Sequence, residues 1–415
     1  MPAKAQFMAR LSPGVALVLA LALLTGLSQF HRSALGVIAP ELSADLALTP
    51  AMLGAANGMF FASLLVMQLP VGIALDRLGP RLVVAGLSAI AVLGLVLQGL
   101  ATDGTTLLVA RALIGIGCAA SFMSAVVLCA RWYGGGQMTL ALSRVFAFSQ
   151  LGILLAGAPL AWLAGWLGWR AAFLVSALLT GLAALAWWRL VRNDPPDRPA
   201  PARKPESLME ALRGQFSIWR LPGLPRVLAL HLVAYAAAAT VIGLWAGPYF
   251  AHVHGLGANQ RGLALAAMGL AMPIGLLLVG PMERRLFRRS AMISAGAALS
   301  AAMLVILAIW PAPPLPVALG LLVGLVLFSS YPVLLVTEAR MLFPDHLVGR
   351  GASTVNMAQV LGSSLLPLLV GLVIGFFPME EAARPEAAYR AGFAVLAGSL
   401  VLGLAGWLLL PRAKP

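Results

Sequence analysis

Twelve separate runs of about twenty or more apolar residues make up most of this chain, and they restrict it to one environment. Inside a bilayer's hydrocarbon core every backbone amide must find its partner within the same segment, so runs of this length read as membrane-spanning helices. Hydropathy places them over 13–38, 50–75, 81–101, 106–129, 138–162 and 170–191, then, after a polar stretch, over 225–250, 262–282, 290–310, 315–337, 351–377 and 388–410. Composition agrees. With 61% hydrophobic residues, 10% charged residues and a mean hydropathy of +0.94, an ordinary soluble domain is excluded. Lys4 and Arg10 precede the first run as they would in a secretory signal, but the run exceeds an h-region of about 7–15 residues and lacks a small-residue cleavage site. It is expected to be retained as the first span.

Between the sixth and seventh runs, residues 192–222 hold Pro195, Pro196, Pro199, Pro201 and Pro205 among charges and cannot cross a membrane. Leu208, Met209, Leu212, Phe216 and Ile218 follow with a partly helical period, which suggests an interfacial segment. The expected organisation is therefore all-α: a six-span unit over 1–191, a linker over 192–222 and a second six-span unit over 223–415. The net charge of +14 would suggest nucleic acid in a soluble protein, yet neither an aromatic-basic stripe nor a zinc-finger spacing is present. With the N-terminus in the cytoplasm, the basic residues sort by side. Arg77, Arg81, Arg131, Arg189, Arg192, Arg226, Arg284, Arg285, Arg288, Arg289, Arg340, Arg350 and Arg412 fall inside with the linker cations, while Arg170, Arg261, Arg384 and Arg390 fall outside. That bias is what the positive-inside rule describes, so the basicity reports topology: an inner, cytoplasmic membrane protein with both termini cytoplasmic.

Arg32 is the charge that most needs explaining, because it lies inside the first run. An ionisable group at that depth costs about 2.5–3.5 kcal/mol on insertion scales and by default faces a protein interior or watery cavity. The acids supply no obvious partner: Glu41, Asp45 and Asp103 fall in outer loops, Asp76 and Glu283 at inner loops, and Glu338 at the inner end of the tenth run. A guanidinium without an internal counter-charge is prepared to grip an incoming carboxylate through two parallel hydrogen bonds. His31, beside it, is a candidate proton carrier, since an unperturbed imidazole titrates near 6.5; a neutral histidine bonded between helices accounts for it equally. Gln29, Gln150, Tyr235, Ser329, Tyr331, Asn356 and Gln359 could complete a site, and any of these could instead be interhelical glue worth about 1 kcal/mol. Arg111 is expected near the outer interface, either snorkelling to headgroups or coupling to transport. Arg144 is expected to snorkel to the cytoplasm and His231 to be interfacial.

The stretch Gly72-Ile-Ala-Leu-Asp76-Arg77-Leu-Gly79-Pro80-Arg81 joins the second and third runs. It resembles the loop signature of the major facilitator superfamily, with Pro80 where a basic residue is commoner. Arg111 followed by Gly115 and Gly117, the Gly152 to Gly157-Ala158-Pro159 stretch, Gly168-Trp169-Arg170, and a shortened second loop copy at Val279-Gly280-Pro281-Met282-Glu283-Arg284-Arg285 resemble further motifs of that family at their expected places. The resemblance covers nearly the whole chain. It implies two six-helix bundles related by a pseudo-two-fold along the membrane normal, with a substrate site near the midplane between them. It also implies a gating role for Gly72, Asp76, Arg77, Gly79, Arg81, Arg111 and Arg350. Asp76 is expected to face the N-terminus of the eleventh span at Gly349-Arg350-Gly351, where the helix dipole favours a carboxylate. Phe30-His31-Arg32-Ser33-Ala34-Leu35 through Ala39-Pro40-Glu41-Leu42 resembles the anion:cation symporter branch, in which an Asp-Arg pair serves proton coupling and carboxylate binding. Here histidine stands in the aspartate's place.

The expected function is secondary active transport of a small organic anion by alternating access, driven by an ion or substrate gradient. No phosphate-cradling GxxxxGK[ST] is present for the use of ATP, and no Ser-His-Asp order suggests an enzyme. The expected partners are the bilayer, a small-molecule substrate and coupled protons, with no cofactor, no bound metal and no nucleic acid, in a monomer. Multidrug or metabolite efflux by proton antiport is the alternative. Copper uptake is a lesser one, resting on Met268, Met272, Cys118, Cys129, His252 and His254 as soft ligands. Methionines four apart are also ordinary helix packing, and the two cysteines, without a CxxC spacing, read as small buried hydrophobes.

Overall fold

The computed structural model describes residues 13–133, 135–195, 218, 221–285, 288–343, 348–379 and 384–412, and among these every regular element is helical. Eleven helices are long and apolar enough to cross a membrane. One of them, Leu140–Leu190, has 51 residues, about 77 Å at 1.5 Å per residue, more than twice a hydrocarbon core of about 30 Å. Gly168, at φ 81° and ψ 157°, breaks it. The stretch is therefore two crossings, 140–167 and 169–190, and the count is twelve.

The first span is Gly14–Asp45, the second Pro50–Leu75, the third Pro80–Gly99 and the fourth Gly104–Trp132; the fifth and sixth meet at Gly168. The seventh is Leu224–His254, the eighth Ala258–Glu283, the ninth Arg289–Ile309, the tenth Leu315–Arg340, the eleventh Gly351–Gly375 and the twelfth Glu386–Leu409. Short polar caps start several of them. Thr49 accepts from the Met52 amide at 3.2 Å, and Asp103 accepts from the Thr106 amide at 2.8 Å. The amide and hydroxyl of Thr106 together hold the Asp103 carboxyl below the usual carboxylate range.

Several spans are interrupted. The fourth breaks at Ala119–Ala120, and the tenth breaks at Ser329–Tyr331, just before Pro332, which cannot donate to the preceding turn. A π turn, Val241–Trp245, lies within the seventh. An even number of crossings puts both ends of the chain and the 192–222 stretch on one side, called terminal here; the other side is distal. Most of that stretch lies outside the described residues. Its beginning folds back on the first half, with Asp194 3.6 Å from Arg131 and the Arg192 carbonyl accepting from Trp132 Nε1 at 3.2 Å.

Within the first half the third span packs on the fourth and sixth; within the second half the ninth packs on the twelfth and the seventh on the eleventh and twelfth. Between the halves the second span meets the eleventh, the first meets the seventh, and the end of the fifth meets the eighth. These meetings close on the distal side. A Cβ on Gly247 would sit 1.7 Å from the Gly36 carbonyl oxygen, one on Gly58 would sit 2.3 Å from that of Ser364, and one on Gly54 would sit 2.3 Å from that of Pro367. Backbone touches backbone there, which only small residues permit. Arg261 of the eighth span adds an ion pair to Glu41 of the first and a 3.3 Å hydrogen bond to the Val37 carbonyl.

The turn at Gly168 is pinned by its successors: Trp169 Nε1 donates to Asp45 at 2.9 Å, and Arg170 donates to Asp45 and to the Ala101 carbonyl. A φ of 81° with a ψ of 157° lies in a region essentially confined to glycine that costs an L-residue about 1–3 kcal/mol, and nothing lies within 4 Å of a Cβ at Gly168 to add a clash. Gly168→Ala is thus expected to lower stability in detergent by about 1–3 kcal/mol. Gly165→Ala, at a helical position equally free of neighbours, should leave stability unchanged or raise it. Equal thermal midpoints for the two variants would contradict this account of the turn.

Candidate functional site

Arg32 and Gly36 are one helical turn apart and share a face of the first span, and that face meets the seventh span: a Cβ on Gly36 would be 2.9 Å from Gly243. Arg32 is thus about 6 Å to the terminal side of Gly36, and the first span still packs on the seventh there, a Cβ on Gly243 falling 3.5 Å from the Arg32 carbonyl oxygen. It is half-buried, with its guanidinium carbon 5.9 Å from the Phe61 ring centroid. Its Nε is buried without a hydrogen-bond partner, and among the described residues no carboxylate pairs with it.

Other half-buried polar side chains lie around this level. Gln29, three residues before Arg32, donates to the Gln150 carbonyl of the fifth span at 3.1 Å. That bond leaves the Gln29 carbonyl and the Gln150 amino group free for a ligand. Tyr235 lies two turns before Gly243, so the face of the seventh span that carries it is the one turned toward the first half. In the eleventh span Asn356 is two turns from Ser364, which bonds to the Gly58 carbonyl of the second span, and Gln359 is one turn from Gly362, which touches Leu232 of the seventh. Gln29, Gln150, Tyr235, Asn356 and Gln359 are all half-buried. The arrangement is a polar wall contributed by the first, fifth, seventh and eleventh spans, with one unpaired cation.

His31 does not belong to this wall. Adjacent helical residues point about 100° apart, and His31 turns into the first half, 1% exposed, with Nε2 3.2 Å from Thr180 of the sixth span. Ser28, Ser88, Cys118 and Ser121 line a small cavity beside it. Tyr331 likewise leaves the expected set: its ring fills the space over Gly296 of the ninth span inside the second half, and it is 2% exposed. Ser329 bonds to Ser300 at 3.2 Å in the same interior. His231, expected at an interface, is 1% exposed.

Arg111 corrects the expectation of snorkelling. It is 1% exposed and donates to the His31 carbonyl at 2.9 Å, the Ala56 carbonyl at 3.3 Å and the Asn57 side chain at 3.3 Å, while its guanidinium lies 4.8 Å from the Phe60 ring centroid. Its fork therefore ties the fourth span to the first and second and fixes the turn that carries Arg32. Asn57, the one side chain in this tie, was not singled out from sequence. It lies four residues before Phe61, which faces Arg32.

The loop between the second and third spans is held against the sixth. Gly79, at φ 79°, leaves room for Asn193, whose side chain accepts from the Arg81 amide at 2.9 Å. Arg81 donates to the Trp188 carbonyl at 2.8 Å through Nη2, and Trp187 Nε1 donates to the Arg81 carbonyl at 3.2 Å. Gly72 packs by Met123, and Arg77 is exposed. The side chains of Asp76 and Arg350 lie outside the described residues, as does any contact between them.

Among the described residues no three of histidine, cysteine, aspartate and glutamate come together as a metal site. His252 bonds to Tyr389 at 2.5 Å, His254 packs edge-on to Tyr249, and Cys118 and Cys129 are buried and free.

The sequence model of the Major Facilitator Superfamily matches residues 21–341 and 227–415. The chain belongs to the major facilitator superfamily. An uncharacterised Bacillus subtilis transporter, YybO, is 27% identical over 277 residues, a match covering 61% of this chain and 61% of that protein. An Agrobacterium vitis protein described as a putative tartrate transporter is 24% identical over 411 residues, 92% of this chain and 87% of that one. The fold is also that of a bacterial homolog of the human lysosomal transporter Spinster, solved inward-facing and occupied. The TM-score is 0.74 at 19% identity, covering 95% of this chain and 96% of the other. The chain is accordingly a multi-pass membrane protein with the superfamily's fold.

If Arg111 is a structural tie, Arg111→Leu should lower stability by about 1–3 kcal/mol, because it removes three buried hydrogen bonds and leaves Asn57 unpaired. Its thermal midpoint in detergent should fall well below that of wild type whether or not substrate is present. A variant as stable as wild type would return Arg111 to a purely functional role.

Proposed function

We propose that the protein is a secondary transporter of a small organic anion bearing a carboxylate, working by alternating access between its two halves. The observation that carries this reading is Arg32, a cation at membrane depth whose Nε is buried without a partner and which no described carboxylate neutralises. A charge in that position is costly unless an anion arrives, and an arriving carboxylate accepts two parallel bonds from the guanidinium fork. Gln29, Gln150, Tyr235, Asn356 and Gln359 offer hydrogen bonds from the facing walls. The tartrate transporter among the relatives supports a carboxylate cargo.

With the termini assigned to the cytoplasm of an inner membrane by the arginine bias, the terminal side is cytoplasmic. The closed distal side then faces outward, and the conformation is inward-facing. The gradient that drives transport is an ion or the substrate itself. His31 is bonded to Thr180 away from the wall, which favours a structural role, so proton coupling, where it occurs, runs through the substrate site and not through His31.

Arg32→Ala is expected to insert and fold while weakening anion binding by at least about thirtyfold, or ~2 kcal/mol, the lower end for truncating one partner of a buried charge pair. Arg32→Lys should also bind weakly, because an ammonium cannot supply the planar fork. Calorimetry in detergent with a panel of mono- and dicarboxylates, followed by proteoliposome uptake with and without a pH gradient, reads both effects. Wild-type affinity in Arg32→Ala would remove Arg32 from the site.

Closure of the distal side depends in part on Arg261, 4% exposed, and its partner Glu41. Because Glu41 is partly solvated, Glu41→Gln should cost the closed state only about 1 kcal/mol, a several-fold population shift. A cysteine introduced at Ala239, on the seventh-span face below Gly243, should then react several-fold faster with an impermeant thiol reagent applied from the distal side. An unchanged rate would show that the glycine contacts alone hold the closure.

A further inference from the structure

Arg226, at the terminal end of the seventh span, is a buried cation that the fold leaves incompletely partnered. It is 5% exposed, and its guanidinium lies flat over the Trp407 ring of the twelfth span, 3.5 Å from the centroid. Its Nε donates to the Trp407 carbonyl, and its Nη2 is buried with no partner at all. Trp407 is fixed in turn by a 3.2 Å bond from its Nε1 to Ser294 of the ninth span. The ring therefore holds the guanidinium in one orientation with one edge unused.

Arg226 lines a cavity of about 230 Å³ whose other walls include Leu221, Pro222, Pro225, Leu410 and Pro411. Among the described residues no carboxylate forms an ion pair with Arg226. Glu338 acts on it electrostatically but is paired with Arg289 at 3.6 Å, and Arg412, beyond the twelfth span, adds a second positive charge. Burying a cation without a counter-charge is costly, and an anion seated in the cavity would offset that cost. This place is not the Arg32 site, which lies deeper and between the halves.

Two features decide which anion. The cavity sits at the ends of two membrane spans, beside Leu408 and Leu409, which are 55% and 83% exposed and so face acyl chains. Apart from Arg226, the walls offer apolar side chains and backbone, a poor match to a free multiply charged phosphate but suited to a phosphodiester with glycerol and chains attached. We infer that the Arg226 cavity binds the phosphate of a phospholipid headgroup in the leaflet on the terminal side. Two of the three guanidinium nitrogens would then divide their roles, Nε to Trp407 and Nη2 to a phosphate oxygen.

The test compares purified full-length protein, stripped of lipid by detergent washing, on addition of phosphatidylglycerol, diacylglycerol with the same chains, or inorganic phosphate. Thermal stability and native mass spectrometry provide the readouts. Phosphatidylglycerol should raise the thermal midpoint and appear as a bound adduct, while diacylglycerol and phosphate should do neither. Arg226→Gln should weaken retention of the adduct at least about tenfold, the loss of one charge-assisted hydrogen bond. Because that variant also loses the bond to Trp407 and could fold poorly, Leu410→Trp is the second probe. It fills the cavity from a partly exposed position and leaves Arg226 and its bond to Trp407 in place, and it should keep the wild-type midpoint in lipid-free detergent while losing the response to phosphatidylglycerol. Equal stabilisation by diacylglycerol, or an undiminished response in Leu410→Trp, overturns the inference. Stabilisation by inorganic phosphate as large as by phosphatidylglycerol overturns the assignment to lipid.

Discussion

The contact between Gly36 and Gly247, with Gly54 and Gly58 opposite Pro367 and Ser364, is the constraint from which the rest of the geometry follows. Lipid chains are as apolar as the helices they surround, so the hydrophobic effect does not hold two bundles together; close backbone packing and a few polar bonds must. At Gly247 there is no room for even one methyl group. These contacts fall in the distal halves of the first, second, seventh and eleventh spans, and the polar wall lies to the terminal side of them.

Arg32 depends on that arrangement at one remove. Its position along the first span is set from outside by Gly36 against the seventh span, and from inside by Arg111, which holds the His31 carbonyl and the second span together. One arginine is consumed by structure and the other is left free, though both lie at membrane depth in one half. The difference is that Arg111 meets two helix carbonyls and an amide, each able to accept, whereas Arg32 meets a phenyl ring. A cation satisfied by neutral acceptors is a bolt; one facing only an aromatic ring keeps its donors for another partner.

Several spans are interrupted at contacts with neighbouring helices. The π turn of the seventh span adjoins the Gly36 contact, and the break of the fifth at Gln150 sits at the Gln29–Gln150 bond. Backbone groups freed at such breaks are tolerated at membrane depth only where neighbouring helices or a watery cavity satisfy them. The breaks of the fifth and seventh spans lie where the halves meet, whereas those of the fourth and tenth lie within the halves. The terminal ends of the seventh and twelfth spans, which carry Arg226 and Trp407, belong to one half.

Much of this was legible in the residues alone. Span number followed from the length of the apolar runs, and even the fused Leu140–Leu190 helix is resolved by the Gly168-Trp169-Arg170 turn that the sequence marks. The anomaly of Arg32 was visible too, since burial cost and the scarcity of membrane-depth acids are properties of composition and order. What sequence could not supply was rotation and partnership. His31 and Arg32 are neighbours in the chain but point about 100° apart, and only packing decides which of them enters a bundle and which faces the gap. Arg111 looked like a snorkelling or coupling residue because its acceptors, the carbonyls of residues 31 and 56, leave no trace in side-chain identity. Tyr331 looked like a ligand until Gly296 gave its ring a place inside the second half. The sequence by itself determined how many helices cross, which side the basic residues mark and which charge lacks a partner, because these depend on local composition. Tertiary structure alone decided which faces meet, because that depends on contacts between residues hundreds of positions apart.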